Sequence, residues 1–304
     1  MEQNKTQKIS GTEFPVNTDE VRRKKRKRIW ISVTCVICSV VLLFVGVLSA
    51  FQIGCWYNQR TLRFWTPDYE RVDISELLQK ETLTDEEYEL LYRQTGLTKL
   101  GIDGLLEDGN INQILKIQDF FFTKQEVIIE RFNPFTYDET IDAHAPMAKL
   151  ENGDILVTAT TRVSWWRYGH AALVVDGAAC MTVESIAPGT VSQLNAASEF
   201  DFLADFMILR PKFDAEFKNQ VATFARENLI GIPYRFSVGV LSKKFNPDEI
   251  KASQCAHLVW YAYRKFGVDL DSDGKGIVKP QDMALSEHVE VVQAYGFDLD
   301  TLWS

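Results

Sequence analysis

Histidine and cysteine are scarce in this chain, whose 304 residues include four of the first and five of the second. Cys35, Cys38 and Cys55 fall in or beside one apolar run. Only Cys180 and Cys255 remain elsewhere, too few for a disulfide scaffold. The CxxC spacing of Cys35 and Cys38 is a poor metal pair, because charged ligands inside lipid are costly. Apolar packing or lipidation accounts for it better. No internal repeat or low-complexity tract is present.

Basic charge is concentrated at the amino end. Residues 1–28 hold nine Lys/Arg and four Asp/Glu, a balance of +5, so the rest of a chain of net charge -9 carries -14. An acidic body of this kind does not suit nucleic acid. Seven of the basic residues form one block, Arg22 to Arg28, and Ile29 to Phe51 follows with 23 residues and no charge. As a helix that run reaches ~34 Å, enough to cross a hydrocarbon core of ~30 Å. A basic cluster beside a first span holds its end in the cytoplasm, so the larger part of the chain is expected outside. A cleaved signal peptide has a shorter apolar core, of ~7–15 residues. A lipoprotein signal would use Cys55 in "QIGC", but Gln52 is polar there.

Four segments are expected: a cytoplasmic basic tail (1–28), a transmembrane helix (29–51), a helical stalk or subdomain (52–148) and an outer domain (149–304). Residues 58–140 read as helical and acidic. In "LTDEEYELLYRQTG", Thr84 is a helix cap, Glu87 completes a capping box and Gly96 supplies the stop. "NINQILKIQDFFF" reads as a second helix. From about Lys149 the texture changes to short β-type runs: Gly153–Thr160, His170–Asp176, Ala179–Ile186 and Ala204–Pro211. Helical patterns follow at Asp214–Asn228 and Gln254–Phe266. Strands and helices in separate blocks predict an α+β domain with an antiparallel sheet.

Cys255 stands where a helix starts. Ser253 is a good N-cap, which places Cys255 at the second helical position. The positive end of the helix dipole favours a thiolate there. A buried core cysteine and a disulfide to Cys180 are the bland alternatives. A nucleophile needs a base within reach and a group to orient that base. Among the histidines, His144 lies in a polar linker, His288 lies near the end, and His257 faces away from Cys255 on its own helix. His170 opens an apolar strand after the turn "SWWRYGH" and so points from a sheet edge into a cleft. A three- or five-residue loop to the next strand puts Glu184 opposite His170, and an even-length loop puts it on the other face. Glu184 otherwise reads as a surface carboxylate.

The series "NGDILVT", "YGHAALVV", "VESIAPGTV", "GIPYRF", "QCAHLVWYAY" and "GVDLDSDGKGIVKPQDM" resembles the YiiX/YebB-like branch of NlpC-type cysteine hydrolases, in the order found there. The resemblance runs from about Lys149 to Val292, roughly half the chain. It implies a circularly permuted papain-like fold, with Cys255 as nucleophile, His170 as general base and Glu184 as orienting residue. It further implies a peptide or amide substrate, cell-wall peptides among them, and no cofactor. "TGLTKLGIDGLL" resembles what precedes such domains in Gram-positive relatives, which suggests a bacterial cell surface. Relatives often carry an aromatic residue before the cysteine and Ser-Glu after it, where this chain has Gln254, Ala256 and His257. Gln254 is a candidate side-chain donor to an oxyanion site and Tyr234 a candidate pocket wall. Related folds with histidine before cysteine include lipid acyltransferases and phospholipases, so lipid-directed acyl transfer is an alternative. A non-catalytic envelope binding module is another. "DLDSDG" copies the start of a calcium loop, but Pro280 stands where a bidentate Glu is needed, so no metal site is expected.

Overall fold

The computed structural model describes residues 18–60, 64–132, 136–163 and 166–303. Residues 1–17 of the expected tail, and Ser164 and Trp165 of the "SWWRYGH" turn, lie outside them, as does the Cys55 side chain. The chain divides into two units at Phe51/Gln52.

The first unit is built on α1 (Thr18–Arg60), which begins before the basic block and runs beyond the expected span. Within it, Arg22–Gly54 is long and apolar enough to cross a membrane, and none of that stretch is buried by protein. Its apolar side chains, Leu42 and Leu43 among them, point outward on all sides, as expected of a helix solvated by lipid.

The second unit is α+β. It begins with α2 (Asp85–Thr95), α3 (Lys99–Glu107) and α4 (Ile111–Phe122), followed by the hairpin strands β1 (Val127–Arg131) and β2 (Thr136–Ile141). Next come β3 (Ile155–Thr158), β4 (Arg162–Val163), β5 (Trp166–Arg167), β6 (His170–Asp176), β7 (Met181–Glu184), β8 (Gln193–Ala196) and β9 (Phe206–Pro211). The chain closes with α5 (Ala215–Asn228), α6 (Cys255–Lys265), α7 (Pro280–Ala284) and β10 (Val289–Tyr295). Two antiparallel sheets result, ordered β10-β9-β3-β6-β7-β8 and β1-β2-β4-β5.

Local chemistry explains the principal elements. The Thr84–Glu87 capping box starts α2, and left-handed Gly96 ends it. A side chain at Gly96 would collide with the Ala294 carbonyl, 2.1 Å from an ideal Cβ. The segment after α2 therefore lies directly on β10, with Thr98 N–H donating to Val292 O at 3.0 Å and Ala294 N–H to Gly96 O at 2.9 Å. Strand β3, buried along its length, pairs with both β6 and β9. Helices α5 and α6 cover β6.

Several expectations change. The 58–140 region is not wholly helical: "VIIER" and "TYDETI" form the β1–β2 hairpin. Strands β8 and β10 were not read from the sequence. Helices α2–α4 belong to the same compact unit and share the apolar core of residues 149–304.

Candidate active site

His170 enters the site because the chain turns at Gly169. Tyr168 and Gly169 both donate to Thr161 O, at 3.0 and 2.9 Å, and Gly169 adopts φ +79°. An ideal Cβ there would lie 2.4 Å from Thr158 O, so only glycine fits both the angle and the space. Strand β6 then begins at His170, which pairs with Thr158.

Glu184 reaches the same imidazole from β7, its Oε2 2.5 Å from His170 Nε2. The register differs from the expected one. Leu173 pairs with Val183 and Val174 with Thr182, so Glu184 lies diagonal to His170 rather than opposite it. The connecting turn, 177–180, has four residues, and an even count alone would send Glu184 to the far face. A bulge between Val174 and Asp176 adds one residue and restores the parity.

The other Glu184 oxygen is held as well. Asn195 Nδ2 on β8 donates to Oε1 at 2.8 Å, and Thr182 Oγ1 donates at 3.3 Å. Phe200 stacks on the imidazole, with centroids 5.6 Å apart and planes at 20°. The sequence reading missed both Asn195 and Phe200. The available signal for Asn195 was a polar residue in a short strand, placed opposite Thr182.

Cys255 is the first residue of α6. Its N-cap is Gln254, not Ser253, because the Ser253 hydroxyl is engaged 2.8 Å from His257 Nδ1. Gln254 Oε1 accepts from Ala256 N–H at 2.9 Å and from the Cys255 thiol at 3.3 Å. Its amide nitrogen donates to Val278 O at 2.6 Å, so the side chain serves as a helix cap. The Cys255 N–H stands at the first helical position, where no intrahelical acceptor exists. The thiol is buried and lies close enough to His170 to raise the pKa of the ring.

Electrostatics follow from these contacts. Burial pushes the His170 pKa down, but hydrogen bonds and charge from Cys255 and Glu184 outweigh it and hold the ring well above 6.5. Burial raises the Glu184 carboxyl, yet His170, Asn195 and Thr182 together hold it below 4.5. Each partner thus favours the charged form of the other. Cys180 cannot reach Cys255. It lies in the turn at the far end of β6, ~20 Å from His170 at ~3.3 Å per residue, and both thiols are free.

Tyr234 lies beside the thiol. It forms an isolated parallel bridge with Ser253, and its phenol is raised by burial and then by the Cys255 charge. The remaining histidines stand apart. His144 pairs with Asp201, His288 packs on Phe213, and His257 donates to Lys244 O at 2.7 Å. The carboxylates of Asp271, Asp273 and Asp282 converge within 4.8 Å. Each is met by lysine: Asp271 by Lys244, Asp273 by Lys275 and Lys279, and Asp282 by Lys279. Pro280 opens α7 there.

No protein-family model, curated protein or solved structure matches this chain.

Proposed function

We propose that the chain is a membrane-anchored cysteine hydrolase of the permuted papain-like, NlpC-type class, cleaving an amide bond outside the cell. One arrangement supports this reading: a buried thiol at a helix start, near an imidazole whose Nε2 lies 2.5 Å from a buried carboxylate. Cys255 attacks the carbonyl carbon, forming the C–S bond and moving the carbonyl electron pair onto oxygen. As the C–N bond breaks, the His170 imidazolium gives its proton to the leaving amine. Neutral His170 then takes a proton from water, whose oxygen attacks the thioester and releases the acid and the Cys255 thiolate, which leaves the ring protonated again. Glu184 holds the ring orientation and stabilises its charge. The basic tail and apolar α1 support a cytoplasmic amino end, and the family resemblance favours cell-wall peptides as substrate.

A lipid-directed acyl transfer is the second reading. It draws on Val240 and Leu241, 61% and 82% exposed on the loop that leads from Tyr234 toward Cys255.

Iodoacetamide labelling of Cys255 tests the common core. The wild type is expected to label at pH 6 at least tenfold faster than His170→Ala. Equal rates remove the thiol–imidazole pair and leave a binding module.

A further inference from the structure

Tyr168 sits two residues before His170 and is 6% exposed. Its ring packs edge-on with Trp166, with centroids 5.7 Å apart, and tilted against Phe236 at 5.0 Å. Its hydroxyl is buried and has no hydrogen-bond partner among the described residues. Such an orphan is uncommon, because a buried donor gives up its water and gains nothing in return.

Packing links Tyr168 to the residues that lead into the thiol's helix. Phe236, against which Tyr168 packs, follows Arg235, whose N–H donates to Ser253 O at 2.7 Å. Tyr234 bridges to the same Ser253, two residues before Cys255. Burial and then the Cys255 charge hold the Tyr168 phenol well above the usual phenol range, so it remains a donor at any working pH. The orphaned hydroxyl of Tyr295 offers a contrast. That ring lies among Phe64, Phe120 and Phe206, and burial alone raises it.

Resting on the hydrolase reading of Cys255, we propose that Tyr168 is a catalytic residue whose hydroxyl donates to the oxyanion formed when the thiolate attacks a carbonyl. The Cys255 backbone N–H supplies the second donor. The acceptor that Tyr168 lacks at rest is the substrate's own oxygen. Gln254, capping its helix, is not needed for this role.

Two reagents separate this role from simple packing. Iodoacetamide alkylates sulfur by displacing iodide and forms no oxyanion. p-Nitrophenyl acetate acylates sulfur through a tetrahedral oxyanion and expels p-nitrophenolate. Both are applied to the full chain in detergent micelles, with modification read at the Cys255 peptide by mass spectrometry. In Tyr168→Phe the acylation rate is expected to fall ~10- to 100-fold with alkylation within twofold of wild type. Tyr295→Phe, the control, leaves both rates unchanged. Acylation equal to wild type in Tyr168→Phe overturns the proposal, and so does a parallel fall in both rates, which is the signature of disturbed packing. A wild type that alkylates but never acylates overturns the hydrolase reading and this role with it.

Discussion

Asn195 Nδ2 donates to Glu184 Oε1 at 2.8 Å, on the oxygen that His170 does not use. The carboxylate is thus clamped from two strands. Asn195→Leu removes the clamp and leaves a buried charged oxygen short of a donor, at ~1–3 kcal/mol. Chemical denaturation should report that loss, together with a lower Cys255 labelling rate. An Asn195→Leu protein matching wild type in both would show that Glu184 needs no second anchor.

Glu184→Gln tests the carboxylate itself. Without its charge the imidazolium loses a partner, and turnover of an ester or amide is expected to fall ~100-fold or more. The alkaline limb of the kcat/KM profile should move as well. His170 is held above 6.5, so in the wild type that limb lies well above 6.5, and in Glu184→Gln it should drop toward it. In stability terms, the His170 contribution is complete below pH 6.5 and is lost as pH rises through its elevated value. That of Glu184 is complete above pH 4.5 and is lost as pH falls through its depressed value. A wild-type alkaline limb at 6.5 would contradict the pair.

His257 carries a different pH dependence. Burial, reinforced by the Lys244 charge and only partly offset by its bond to Lys244 O, depresses its pKa from 6.5 to about 4. The unfolded chain binds the proton first, so stability is complete above pH 6.5 and is lost as pH falls toward 4. The loss amounts to about 3 kcal/mol. Urea unfolding of wild type and His257→Gln at pH 7 and pH 4.5 isolates it. Parallel losses in the two proteins would exclude His257 as the source.

Arg162 and Arg167 bind the buried Glu139 carboxylate at 2.5 and 2.7 Å, and Arg167 also meets Asp205 at 3.3 Å. Removing one partner leaves a buried charge uncompensated, which costs ~3–5 kcal/mol. Arg162→Met should lose that much in denaturant titrations. A loss below 1 kcal/mol would mean that water enters the cluster.

Gly169→Ala is the backbone counterpart. Its positive φ and the nearby Thr158 carbonyl make the substitution cost of order 1–3 kcal/mol, with His170 displaced from Cys255. Labelling at Cys255 should fall toward the His170→Ala rate.

The candidate site was legible in the sequence where its signals were local. The helix that opens on Cys255 and the strand that opens on His170 could both be anticipated, and the face of Glu184 only if the connecting loop were odd. The Val175 bulge could not, since a bulge answers to twist and turn geometry rather than to a residue pattern. Ser253 was a reasonable cap until His257, four residues on, took its hydroxyl. The β1–β2 hairpin was absorbed into a helical reading because its charged residues resemble the acidic helices before it. Strand β10 stayed hidden because its partners, β9 and the Gly96–Thr98 segment, lie far away in sequence.

That last pairing decides where the molecule can be cut. A fragment beginning at residue 149 would retain every residue of the candidate site and still lose the segment that covers the outer edge of β10. The bare strand would offer its free N–H and C=O groups to any neighbouring chain, an invitation to aggregate. Trp65, whose N–H donates to Gly296 O at 3.3 Å, marks a sounder start for an expression fragment than the place where the family resemblance begins.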